Sequence, residues 1–338
     1  MSAPCLAVIT DCEFDSFDPE RRELAGLAEV RKYACRSEEE VIAAAAEADA
    51  ILVQYAPITR RVIGSLNKCR VIARYGIGVD MIDVDAATGR GIPVVNVPDY
   101  CVEEVSDHAL ALMLAASRKI LLLHNSIARG RWDFSVAAPL PRIRDLTIGL
   151  AAFGKIARRV AEKLRGFGCS IIAYDPYTQP QAARALGVKL VDLESLLERS
   201  DIISIHAPLT RRTHHLFDRK AFDQMKSSAW IVNTSRGGLI DESALIQALD
   251  RGRIAGAALD VLETEPIPKE NPLIGRDNVV LTPHSAFYST ASLLDVQILT
   301  ARGAAQVLRG EKPDYPVNPE VGVQVDPTGA GGSEGAAR

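Results

Sequence analysis

Short runs of β-branched and other apolar residues, separated by helical stretches of roughly 8 to 15 residues, constrain this chain more than any single motif does. The first series is CLAVIT (5–10), AILVQY (50–55), VIARY (71–75) and PVVNV (93–97). The second is LTIGLAA (146–152), SIIAYD (170–175), DIISIHA (201–207), AWIVNT (229–234), AGAALDV (255–261) and NVVLTP (278–283). Gaps of this length are crossovers rather than hairpins, and strands apolar on both faces need helices on both sides. The expected class is α/β, with two doubly wound parallel sheets.

Between the two series, residues 102–130 read as one long apolar helix linking two domains. The second series ends near 284, and residues 291–310 predict a helix that returns to pack on the first domain. The expected division is therefore 1–100 with 285–320 as one domain and 101–284 as the other. Residues 321–338 carry the Gly/Ala/Ser-rich DPTGAGGSEGAAR from Asp326 onward and are expected to form a frayed, disordered tail.

Composition narrows the function. A chain of 338 residues, 47% hydrophobic and 24% charged, is ordinary for a globular protein of two domains. A net charge of −4 and scattered Arg pairs give no electrostatic reason to expect nucleic acid. The most apolar segment, 109–123, is interrupted by Arg118 and Lys119 and is too short for a bilayer, so no membrane association is expected. Six widely spaced cysteines, with no His at zinc spacing, predict neither a metal site nor a disulfide framework. With no signal-peptide pattern at the start, a cytoplasmic location is expected.

In a doubly wound sheet, ligands bind outside the carboxyl ends of the strands. At those ends the second series places Ala152-Phe153-Gly154, Asp175, His206, Thr234-Ser235-Arg236, Asp260 with Glu265 beyond it, and His284. Gly154 allows a pyrophosphate to approach the backbone, and the helix beginning at Lys155 offers free N–H groups and a positive dipole end. Asp175, roughly 20 residues further on, suits the ribose hydroxyls of NAD and repels the 2′-phosphate of NADP. Arg236 can fork a substrate carboxylate, His284 can exchange a proton, and Glu265 can hold the imidazole. Singly, each has an ordinary structural reading; their convergence on one rim points to hydride transfer.

NTSRGGLIDESALIQAL, GAALDVLETEP and LTPHSAFYST strongly resemble the signatures of the NAD-dependent D-isomer-specific 2-hydroxyacid dehydrogenases, over about residues 5–318. RYGIGVDMID, NVPDYCVEEVSDHAL, the pair His214-His215 and PHSAFYS are most similar to the branch containing the C-terminal binding protein corepressors. The resemblance implies a Rossmann cofactor domain inserted in a flavodoxin-like substrate domain, a catalytic set of Arg236, Glu265 and His284, and a homodimer built on the long helix. It implies NAD contacts from Gly154, Lys155, Ile156, Asp175, His206, Pro208, Thr213, Thr234, Ser235, Arg236, Asp260 and His284. Asp260 falls near the nicotinamide carboxamide. On the substrate side it implies Arg74, Tyr75, Gly76 and Ile77, with Tyr55 and Phe287 as pocket walls. Two positions depart from the family. Ala152 replaces its first glycine, which predicts strain in the turn. Val105 stands where a cofactor-contacting Thr is common, so that contact falls to Ser106 or is absent.

The implied activity is reversible hydride transfer between NAD(H) and C2 of a small 2-hydroxy or 2-oxo acid of D configuration. Two rivals suit the same residues: an NAD(H)-responsive binding protein that recruits a peptide partner, and a dehydrogenase for an unusual oxyacid such as formate or a phosphonate-bearing acid, with Arg74 as second cation.

Overall fold

The computed structural model describes residues 5–322; the tail expected beyond Val321 lies almost wholly outside them. Two compact units divide the chain, one up to Tyr100 together with the residues from Ser289 on, the other Cys101–Tyr288.

In the first unit the strands are β1 (Cys5–Ile9), β2 (Ala28–Lys32), β3 (Ala50–Val53), β4 (Val71–Arg74) and β5 (Val94–Val95). Between them run α1 (Asp18–Glu23), α2 (Glu38–Ala45), α3 (Arg60–Ser65) and α4 (Val84–Gly89). All pairs are parallel, in the order β2-β1-β3-β4-β5, which is the flavodoxin-like order. β3 and β4 are buried along their whole length, the consequence of helices on both faces. The helix near the chain's end is α12 (Thr290–Leu308), which packs across β3, β4, β5 and α1.

The second unit opens with α5 (Val102–Ser117) and α6 (Ile120–Ala128). It continues as β6 (Thr147–Ala151), α7 (Lys155–Leu164), β7 (Ser170–Tyr174), α8 (Pro180–Ala185), β8 (Lys189–Leu190), α9 (Leu193–Arg199) and β9 (Ile202–Ile205). Then come α10 (Arg219–Gln224), β10 (Trp230–Asn233), α11 (Glu242–Asp250), β11 (Gly256–Leu259) and β12 (Val279–Leu281). The seven-stranded parallel sheet runs β12-β11-β10-β9-β6-β7-β8, the Rossmann order extended by one strand. Its order reverses between β6 and β9, where Ala151 pairs with Ile205 on one side and Tyr174 on the other. That register brings the ends of three strands level and opens the crevice beside the 152–154 turn.

Two expectations need correction. The apolar stretch 102–130 is not one helix but two, bent by 59°. Lys119 takes a left-handed conformation (φ 51°), and its N–H turns to Ala116, three residues back, ending the α-helical ladder before α6 begins. No single helix among the described residues is long and apolar enough to cross a membrane, although this bent pair passes by length and composition together. The strands β2 and β8 also escaped the sequence reading. Both are sheet edges of mixed, partly exposed residues such as AEVRK, and an edge strand needs no continuous apolar run.

Candidate active site

The turn after β6 carries the altered fingerprint. Ala152 sits at φ 74°, a conformation glycine adopts freely and alanine only against steric repulsion between its Cβ and the backbone. Its N–H donates to the Tyr174 carbonyl at 2.8 Å, so the sheet holds the turn in place despite the strain. Gly154 has open space where a Cβ would stand. No side chain caps α7, so the positive end of its dipole opens on the turn, where an anion would be favoured.

Asp175 is bound more tightly than its spacing revealed. Its carboxylate accepts from the N–H groups of Phe153 (2.8 Å), Tyr177 (2.8 Å) and Thr178 (3.1 Å), and from the Thr178 hydroxyl (3.0 Å). Partial burial alone would raise its pKa, but these bonds outweigh it and hold the group below the ordinary carboxylate range. The four donors occupy the acceptor positions of the carboxylate, so ribose hydroxyls would have to replace the Thr178 contacts.

His206 follows β9. Its Nε2 lies 3.0 Å from Ser204 Oγ, while Nδ1 is buried without a partner among the described residues, as is Thr234 Oγ1 beyond β10. Burial pushes the His206 pKa down to about 4, so the ring is neutral near pH 7. Two orphaned buried polar atoms on the rim beside an open Gly154 and an uncapped helix make a coherent fit to a bound dinucleotide. Ser235 differs: its hydroxyl donates to the Ile205 carbonyl at 2.9 Å and ties β10 to β9. Thr213 closes its own loop, donating to the Pro208 carbonyl at 2.6 Å and accepting from Thr210 N–H at 2.8 Å. Ser106, the alternative to the missing Thr, stands on α5. It is fully buried and its hydroxyl lies between the Glu103 carbonyl and the Lys163 ammonium.

The three residues expected to do the chemistry share this rim. His284 Nδ1 and Glu265 Oε2 are 2.7 Å apart, and the other Glu265 oxygen accepts from Leu262 N–H at 2.9 Å. Half-burial would raise the Glu265 pKa; the bonds from His284 and Leu262 and the charges of His284 and Arg236 overcome it, leaving the carboxyl below its usual range. Glu265 is thus ionised and turned to the imidazole, the geometry that stabilises an imidazolium. Phe287 meets the His284 ring edge-on, with centroids 6.2 Å apart.

Sequence reading missed what holds these groups. Asp260, expected at the cofactor, is 2% exposed. It accepts from Ser285 N–H and Ala286 N–H, both at 2.9 Å, and from the Thr282 hydroxyl. His108 on α5 reaches Thr282 Oγ1 at 2.9 Å. Asp260 therefore fixes the turn bearing His284, which itself sits at φ 50°. Beside it, a Cβ on Gly237 would fall 1.9 Å from the Leu262 carbonyl carbon and oxygen, so the Arg236 loop and the Glu265 loop meet backbone to backbone. His215, in the loop after β9, pairs with Glu263 and stacks on His214, and its N–H donates to the Gly238 carbonyl at 2.8 Å, so a third loop is tied to these two. The sequence signals were a Gly-Gly pair after Arg236 and a lone His on an apolar helix, neither of which names its partner.

The remaining expected residues lie on the carboxyl rim of the five-stranded sheet. Arg74 is buried, and a Cβ on Gly76 would fall 1.6 Å from its guanidinium, so the side chain folds back over the Gly76 backbone. The Ile77 carbonyl accepts from the Asn96 amide at 2.7 Å. Tyr55 is 45% exposed, its N–H bound by Asp11 at 2.6 Å. The Tyr75 ring is buried against Phe14, so this residue meets the rim through its backbone.

Residues 110–286 match the family model described as D-isomer specific 2-hydroxyacid dehydrogenase, NAD binding domain. The chain is 42% identical over 284 residues to a D-3-phosphoglycerate dehydrogenase of Methanocaldococcus jannaschii, covering 83% of this chain and 54% of that one. It is 40% identical over 276 residues to a glyoxylate reductase of Korarchaeum cryptofilum, covering 81% and 83%. Among solved structures, the D-lactate dehydrogenase of Aquifex aeolicus, complexed with NAD and lactic acid, superposes with a TM-score of 0.81 at 26% identity, covering 90% and 96%. The chain spans about half the length of the curated phosphoglycerate dehydrogenases it matches. Its seven-stranded unit is an NAD-binding domain, and the chain belongs to the D-isomer specific 2-hydroxyacid dehydrogenase family.

Proposed function

We propose that this protein is an NAD-dependent D-2-hydroxyacid dehydrogenase that interconverts a small 2-hydroxy acid and its 2-oxo acid. The observation that carries the reading is the His284–Glu265 pair at 2.7 Å, with Glu265 held below its ordinary pKa beside Arg236. Arg236 forks the substrate carboxylate and polarises the reacting oxygen. Protonated His284 delivers its proton to that oxygen in the reducing direction and takes it back in the oxidising one. Glu265 stays ionised and stabilises the imidazolium. NAD(H), when bound, supplies the hydride exchanged with C2 of the acid.

Gly154, Lys155 and Ile156 would hold the pyrophosphate, Asp175 the adenosine ribose, and His206, Pro208, Thr213 and Thr234 the nucleotide further along. Asp260 would act from beneath, through the His284 turn. The residues 1–100 and 285–320 form the substrate domain in this reading, with the Arg74–Ile77 turn, Tyr55 and Phe287 recognising the acid. Exposed Ile120, Ile127, Trp132 and Phe134 on and after α6 support a homodimer through that region. The wide spacing of the six cysteines along the chain supports a reducing, cytoplasmic setting.

The test is NADH absorbance with purified protein and a panel of 2-oxo acids from glyoxylate to branched and phosphonate-bearing ones, with NADPH as control. NADH-dependent turnover of at least one member is the expected result. NADH binding without any turnover would overturn the enzyme reading in favour of a sensing or recruiting role.

A further inference from the structure

Glu20, on the short helix α1, has no exposed surface. Its partners are the Tyr75 hydroxyl, at 2.8 Å from Oε1, and the Gln297 amide, which donates to both oxygens at 3.2 Å and to the Ser16 carbonyl at 2.8 Å. A carboxylate taken out of water in this way is costly, and an apolar side chain of similar volume would pack there at least as favourably. What an apolar residue would not do is fix a phenol oxygen.

That oxygen belongs to the first residue beyond β4. The Tyr75 ring is pinned edge-on by Phe14, with centroids 5.3 Å apart and planes at 67°, and its N–H donates to the Val53 carbonyl at 2.9 Å. The chain then turns through Gly76, at φ 127°. Gly76 is held by its N–H on the Arg74 carbonyl (2.9 Å) and by its own carbonyl, which accepts from Val97 N–H at 3.0 Å. The sheet and Asn96 thus fix the turn in front, and the α1–α12 pair fixes it behind through one side chain. Both supports are needed, because the backbone between them has the freedom of glycine.

We propose that Glu20, with Gln297, is a positioning residue for substrate recognition: by anchoring the Tyr75 hydroxyl it sets the placement of the Arg74–Ile77 turn. This rests on the reading of that turn as the substrate-recognising element of a 2-oxo acid reductase. The turn acts in binding rather than in proton transfer, so loosening it weakens substrate and transition state alike, which raises KM and leaves kcat nearly unchanged.

The experiment compares Tyr75→Phe and Glu20→Gln with the wild type, using the 2-oxo acid that the wild type reduces fastest, and records KM, kcat, NADH affinity and melting temperature. Tyr75→Phe keeps the ring on Phe14 and removes the anchor; KM rises roughly 5- to 30-fold, with kcat within about 2-fold. NADH affinity is unchanged. Glu20→Gln keeps an acceptor for the phenol but weakens it, and raises KM by about 2- to 5-fold. Unchanged KM in Tyr75→Phe, even with a lower melting temperature, overturns the proposal and leaves the dehydrogenase standing. If Tyr75→Phe does not fold, an unchanged KM in Glu20→Gln overturns it alone. A wild type that binds NADH and reduces nothing overturns the dehydrogenase first, and this proposal with it.

Discussion

The two sheets are built alike and finish differently. Both are parallel and doubly wound, and both gather polar residues where their strand order reverses. The rim of the seven-stranded sheet presents charged and titratable side chains: Asp175, Arg236, Glu265 and His284. All six histidines of the chain fall in that unit. On the five-stranded rim, side chains serve the backbone instead. Asp11 accepts from the N–H groups of Gln54 and Tyr55, Asn96 donates to the Ile77 carbonyl, and Tyr75 is tied back to Glu20. Proton transfer requires titratable atoms, which only side chains supply, whereas recognition of a small anion can be done by a well-placed turn. In the proposed reading the first rim suits proton transfer and the second the recognition of an acid, so one scaffold would serve two tasks by what it hangs on its strand ends.

Replacing the titratable group breaks the contrast most severely. His284→Asn, chosen because Asn tolerates the left-handed backbone at φ 50°, should lower kcat by roughly 10²- to 10⁴-fold without unfolding the protein. Steady-state kinetics and a thermal melt check both halves.

Gly237→Ala tests whether the chemical rim is equally sensitive to backbone placement. The added methyl would collide with the Leu262 carbonyl at 1.9 Å, parting the Arg236 and Glu265 loops. A displacement of this kind should cost about 100-fold in kcat/KM and lower the melting temperature. Gly154→Ala, with open space around its Cβ, should retain its melting temperature and lose only NADH affinity. Equal melting temperatures for the two variants would show that the Gly237 contact does not hold the site.

The confinement of histidines to one unit is sharpened by pH. Burial lowers the His206 pKa from 6.5 to about 4, so between those values the unfolded chain binds a proton that the folded one excludes. Stability is then fully present above pH 6.5 and declines as the pH falls toward 4, by about 2 kcal/mol between pH 6.5 and 5. Urea unfolding at the two pH values measures it, and His206→Asn should flatten the dependence. Glu265 and Asp175, whose pKa values are lowered, act in a separate window: their contribution is present above the ordinary carboxylate pKa and lost as pH falls through the depressed one.

The smallest effect concerns Ala152. Ala152→Gly removes a left-handed strain of about 1 to 2 kcal/mol but adds about 0.5 to 1 kcal/mol of unfolded-chain freedom. A net gain of about 0.5 kcal/mol is expected, with tighter NADH binding by titration. A loss of stability would mean that the turn is shaped to its alanine.

Much of this was legible in the sequence because the signals were local. A strand apolar on both faces announces a covered parallel sheet, and Asp175, Arg236, Glu265 and His284 follow such strands at spacings that leave them on one rim. The strained turn at Ala152 was legible for the same reason. The kink at Lys119 was not, since the apolar pattern runs on through a break that lies in the backbone. The polar edge strands β2 and β8 carried no burial signal. The anchor of the Tyr75 hydroxyl was not legible either, since its partner lies on α1, 55 positions away.

The sequence by itself determined the α/β class, the alternation of buried strands with helices, the chemical types available at the strand ends, and the family. Those properties follow from periodicity and residue type, which are read within a few positions of the chain. The tertiary structure alone decided which polar groups are spoken for. It turned Asp260 to the His284 turn, Ser106 toward Lys163, Ser235 to β9, and Glu20 to Tyr75. A hydrogen-bond partner is set by packing between segments far apart in sequence, and a buried polar group takes whichever partner the fold brings within reach.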